Sequence, residues 1–219
     1  MNDEYYRSLI DRVSQHDEQM WSDCDDELQY GASGNDDRQD GFKDFSRLWE
    51  ILSDDDPAIS PDVYLEGAAL CLSSFYGAAQ DHTPVWDSIL AHYRAALDSN
   101  GECAREFRDA FIRMAESFDE NDDPDCLPQF TAMMHMAVKS GDPEMCMAIL
   151  NCANCQELWE SVDTHPEWGI WLAAFSDFEP MEIPHTPEAA SALEELTTYL
   201  AGSPGMEWLQ DLSDNFQDY

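Results

Sequence analysis

At several points in this chain a serine, threonine or aspartate stands immediately before a proline, among them Asp56-Pro57, Ser60-Pro61, Thr83-Pro84, Asp142-Pro143, Thr186-Pro187 and Ser203-Pro204. A short oxygen-bearing side chain caps the free N–H groups of a first helical turn. Proline suits the next position because the N–H it lacks would have no partner there. Each pair reads as a helix start, so the chain divides into short helices.

The apolar spacing agrees. Tyr5, Leu9, Val13, Met20 and Cys24 form one stripe at helical intervals, and Phe42, Phe45, Leu48, Trp49 and Leu52 form a second. Trp86, Ile89 or Leu90, Tyr93 and Leu97 form a third, and Phe107, Phe111, Met114 and Phe118 a fourth. Strict alternation is hard to find and valine is scarce, so a large sheet would lack its usual residues. The pattern predicts an all-α fold, an irregular bundle or short α-solenoid of about nine to eleven helices in antiparallel pairs. The expected spans are 4–28, 42–52, 61–77, 84–99, 102–118, 127–140, 143–153, 155–162, 167–176, 187–201 and 205–216.

The polar stretch from Gly31 to Gly41 sets the first helix, 4–28, apart as a mobile arm of a core domain over residues 1–178. Three prolines between Glu179 and Pro187 mark a linker, so residues 179–219 read as that linker and a C-terminal helical hairpin packed on the same domain. The segment from Ala137 through Gly141, Asp142 and Pro143 to Leu150 resembles the turn between paired helices in ankyrin or tetratricopeptide repeats. No second copy follows at a fixed period.

Charge narrows the choice of function. The chain holds 47 acids against 10 bases, a net charge of −37. Residues 1–66 contain 19 acids and 5 bases, residues 67–139 contain 12 and 5, and residues 140–219 contain 16 and none. Direct binding to nucleic acid or to an anionic membrane needs Lys and Arg to replace counterions, so both are set aside as partners. No run approaches the length of a membrane helix, and the N-terminus lacks a basic segment followed by an apolar one, so a cytoplasmic location is expected. Seven cysteines, an odd number, read as reduced thiols.

Catalytic and cofactor signals were sought among these residues. Cys152-Ala-Asn-Cys155, with Cys146, Cys126 and His135 upstream, is the best metal candidate, yet a structural zinc site wants two such pairs and a redox dithiol wants a βαβ setting. Cys146 and Cys152 instead fit the apolar pattern of Met145, Ile149 and Leu150 as core thiols. A calcium loop starting at Asp119 would put Pro124 and Phe130 where glycine and glutamate are needed, and one starting at Asp36 fails at Arg38 and Arg47. P-loop, dinucleotide and nucleophile-elbow patterns are lacking, and carboxylate pairs are too abundant for any one to stand out as an acid–base couple. No cofactor and no enzymatic activity are expected.

In composition, size and lack of catalytic motifs the chain resembles the DNA-mimic inhibitors that phages and mobile elements use against restriction or CRISPR nucleases. The resemblance implies an acidic decoy whose partner is a basic nucleic-acid-binding protein. A charge of −37 matches on the order of 18 base pairs of duplex phosphate. Two other readings remain open: a helical adaptor or immunity-type protein neutralising a basic partner, and salt adaptation of a protein with unrelated function. The expected partner-facing carboxylates are Asp54, Asp55 and Asp56; Asp119, Glu120, Asp122, Asp123 and Asp125; and Asp23, Asp25, Asp26 and Glu27. Oligomeric state is left open, a dimer included.

Overall fold

The computed structural model describes residues 3–30, 35–54, 58–77, 82–118, 127–152, 162–175, 183–203, 206 and 208–217. Among them stand ten α-helices, one 3-10 turn and no strand, so the protein is all-α. The helices are α1 (Asp3–Tyr30), α2 (Asn35–Asp54), α3 (Pro61–Ser73), α4 (Trp86–Ser99) and α5 (Gly101–Phe118), followed by α6 (Leu127–Ser140), α7 (Pro143–Cys152), α8 (Pro166–Phe175), α9 (Pro187–Leu200) and α10 (Leu209–Gln217). The 3-10 turn Thr83–Val85 leads into α4.

The capped prolines act as expected at two sites. Asp142 Oδ1 accepts from the Glu144 N–H at 2.9 Å to open α7, and Thr186 Oγ1 accepts from the Ala189 N–H at 3.3 Å to open α9. Gly141, between α6 and α7, has φ of +78°, a left-handed turn that glycine adopts without strain. Ser60 differs: it precedes α3 in an extended conformation without a side-chain cap, and its N–H donates to Asp3 Oδ1 at 3.1 Å. Asp56-Pro57, Pro204 and all but the last residue of the span 155–162 lie outside the described residues.

α2 begins at Asn35, earlier than the expected residue 42. Gly41, read in the sequence as part of a linker, is buried within this helix, where α2 meets Tyr76 and His16. A Cβ there would lie 3.0 Å from the His16 Cβ, so the glycine allows close packing.

The chain forms two compact units, Met1–Met114 and Ala115–Tyr219, and the proline-rich run 179–187 lies inside the second. In the first unit α1, α2 and α3 pack mutually and α3 packs on α4. Tyr6, Leu9 and Val13 of α1, Phe45 and Leu48 of α2 and Val63 and Leu65 of α3 are fully buried there. Tyr64 ties three helices together: its hydroxyl donates to the Leu52 carbonyl at 2.9 Å, and its ring stacks on His92 of α4 at 3.7 Å. Trp86 meets Phe111 edge-on and Tyr93 meets Phe107, which joins α4 to α5.

In the second unit α9 packs against α6, α8 and α10, and α6 packs on α7. α8 is apolar on every side, with Trp168, Ile170 and Trp171 fully buried, as expected of a central helix. Trp168 Nε1 donates to Thr131 Oγ1 at 3.0 Å. Burying two tryptophans contributes about 4 to 6 kcal/mol each as an upper figure, which offsets the repulsion between this unit's carboxylates. No described helix is long and apolar enough to cross a membrane.

Candidate functional site

The acid divides unevenly between the units. Residues 1–114 carry 25 acids and 9 bases, net −16, and residues 115–219 carry 22 acids and a single base, Lys139, net −21. Most of the described bases are already matched to carboxylates of the same unit. Arg12 holds Asp44 with two bonds, Nε to Oδ2 at 2.9 Å and Nη2 to Oδ1 at 3.2 Å, and this raises the guanidinium pKa further. Arg7 pairs with Glu66 at 2.9 Å, Lys43 with Asp40 at 2.7 Å, and Arg47 with Glu50. The Lys43 bond holds the Asp40 carboxyl below its usual range.

Lys139 serves Glu195, at 3.6 Å, beside His135 Nδ1 at 2.7 Å. Burial works to raise the Glu195 pKa, but the His135 hydrogen bond and the electrostatic influence of His135 and Lys139 outweigh it and hold the carboxyl low. This cluster joins α6 to α9 and is structural.

Local structure accounts for several other acids. Asp62, Asp87, Glu102, Glu144, Glu167, Glu188 and Asp211 each sit in the first turn of a helix, where the macrodipole favours negative charge. Asp54 is the opposite case. It is exposed at the C-terminal end of α2, where the dipole disfavours it and the last turn holds no base.

The carboxylates singled out from the sequence fall in three places. Asp54 is described and exposed; Asp55, Asp56, Asp119, Glu120, Asp122, Asp123 and Asp125 lie outside the described residues. Asp23, Asp25, Asp26 and Glu27 are within the helical backbone of α1, and their side chains lie outside the description. These last four therefore stand on a helix, within the expected span 4–28.

A further acidic feature was missed in the clusters. Glu4, Asp11 and Glu18 stand seven residues apart on α1, all exposed and without an ion pair among the described residues. Seven residues are nearly two full turns, so the three share one face at steps of about 10.5 Å. Asp25 continues the register. Arg7 and Arg12 on the same helix reach α3 and α2 instead, so the stripe has no ion pair among the described residues, and only Glu4, in the first turn of α1, gains from the macrodipole. Its signal in the sequence is a heptad repeat of acids, which acid density alone does not show.

Among the described residues the thiols show no metal arrangement. Cys146 and Cys152 are buried, burial and the charge of Asp142 raise the Cys146 pKa, and Cys155 lies outside the described residues. No group of three or more His, Cys, Asp or Glu residues is placed to hold a metal ion among the described residues. No family model, curated protein or solved structure matches the chain.

Proposed function

We propose that this chain is a non-catalytic acidic inhibitor that occupies the basic surface of a DNA- or RNA-binding protein in place of nucleic acid. The observation that carries the reading is the separation of roles among the charges. Most described bases are matched to carboxylates within their own unit, while exposed carboxylates such as Glu4, Asp11, Glu18 and Asp54 stand on helices with no ion pair among the described residues. A carboxylate fixed on a helix offers a basic groove a preordered anion, so less entropy is lost on binding than from a loop.

Magnitude shapes the proposal. One strand of duplex places a phosphate every ~3.4 Å of axis. The α1 stripe at about 10.5 Å supplies one charge where the strand has roughly three. The binding face must therefore draw on more than one helix, and association is fast, electrostatically steered and strongly dependent on salt.

The test is capture from a lysate on the immobilised full-length protein, followed by nucleic-acid-binding assays on whatever is recovered. Recovered proteins should bind nucleic acid, lose that binding when the acidic protein is added, and be released by excess duplex. Recovery of basic proteins with no nucleic-acid site would end the decoy reading in favour of the adaptor.

A further inference from the structure

In the first unit a cleft of about 380 Å³ runs between α3 and α5, at the low end of the volumes that hold small ligands. Leu65 and Ala69 of α3 and Ala110 of α5 line it together with a larger set of polar and charged side chains. Most of its polar groups are already satisfied. Arg7 pairs with Glu66 at 2.9 Å, Asn100 Nδ2 donates to Asp62 at 2.8 Å, and the Cys103 thiol donates to the Asp62 carbonyl at 3.6 Å.

Two lining charges, Glu106 and Arg113, have no ion pair among the described residues. They are seven residues apart on α5, on nearly one face and about 10.5 Å apart along the axis. We propose that this cleft binds a zwitterionic small molecule of the dipeptide class, with its ammonium on Glu106 and its carboxylate on Arg113.

Alternatives fit less well. A simple anion would use Arg113 but meet Glu106 and the field of a unit at net −16, and a simple cation would meet Arg113. A zwitterion brings no net charge. The terminal charges of an extended dipeptide lie roughly 6 to 7 Å apart, and the reach of the Glu and Arg side chains spans the remainder.

The experiment titrates free Ala-Ala, N-acetyl-Ala-Ala and Ala-Ala-amide into the full-length protein by calorimetry, with alkylation of Cys103, read by peptide mass, as an independent reporter. Ala-Ala should bind in the millimolar range or tighter and slow the alkylation. Each blocked form should bind about tenfold more weakly, the equivalent of one charge-assisted hydrogen bond. Glu106→Gln should abolish only the preference for a free amine, and Arg113→Gln only the preference for a free carboxylate. Absence of saturable Ala-Ala binding, equal binding of all three compounds, or indifference to both substitutions would overturn the proposal.

Discussion

Asp17 of α1 accepts a hydrogen bond from Ser74 Oγ at 2.8 Å, across 57 residues of sequence, and a second from the Phe75 N–H at 2.5 Å. The carboxylate is 8% exposed and anchors the turn that follows α3. Removing it leaves a buried hydroxyl and a backbone N–H without this acceptor. Asp17→Ala should lower stability by about 2 to 3 kcal/mol, and Asp17→Asn, which keeps one acceptor oxygen, by about half as much. Urea unfolding of the two variants checks the order; equal losses would contradict it.

Gly169 of α8 and Gly101 of α5 predict opposite outcomes for the same change. A Cβ on Gly169 would lie 2.8 Å from Val162 Cγ1 and 3.1 Å from Ile183 Cγ1, whereas at Gly101 it would meet nothing within 4 Å. Gly169→Ala should destabilise by about 1 to 2 kcal/mol, because overpacking exceeds the gain in helix propensity. Gly101→Ala should be neutral or stabilise by roughly 0.5 kcal/mol. Thermal melting of both variants decides.

Glu195 provides a pH signature. Its carboxyl is held below the usual glutamate range. A depressed folded-state pKa contributes stability that is present above the unfolded value and lost as pH falls through the folded one. The wild-type protein should therefore exceed Glu195→Gln by about 1 to 2 kcal/mol at pH 7, with the gap closing as pH drops below the mid-fours. Urea midpoints at pH 7, 5 and 4 measure this difference. A gap that widens on acidification would contradict the assignment.

Arg12 and Asp44 test whether the bases act mainly against self-repulsion. Arg12→Gln should cost about 0.5 to 1 kcal/mol at low salt. The cost should shrink at about 1 M salt, where the screening length is roughly 3 Å. A cost independent of salt would point to packing by the arginine stem.

The helical class was legible because apolar side chains recur at three and four, and Asp142 and Thr186 announce their helices by caps that form as read. The start of α2 was hidden for a physical reason. Residues 35–41 carry almost no apolar side chain, so periodicity has nothing to act on, and Gly41 looks the same in a linker as in a close helix contact. The same blindness affected the site. The Glu4, Asp11 and Glu18 stripe becomes visible only when acids are given a period of their own.

The α1 stripe carries a direct expectation for binding. Replacing Glu4, Asp11 and Glu18 together by Gln, Asn and Gln should leave the fold intact, because all three are exposed. It should lower the association rate with the partner about tenfold at low salt, and less at high salt. An unchanged rate would remove α1 from the binding face.

The central claim is that this surface stands in for nucleic acid, and competition measures it most directly. A fluorescent duplex bound to a captured partner should be displaced by the acidic protein with one-for-one exclusion. Its apparent affinity should fall linearly in log–log against salt, as for a ligand that replaces several phosphates. A ternary complex of partner, duplex and acidic protein, with no displacement across the salt range, would contradict the account.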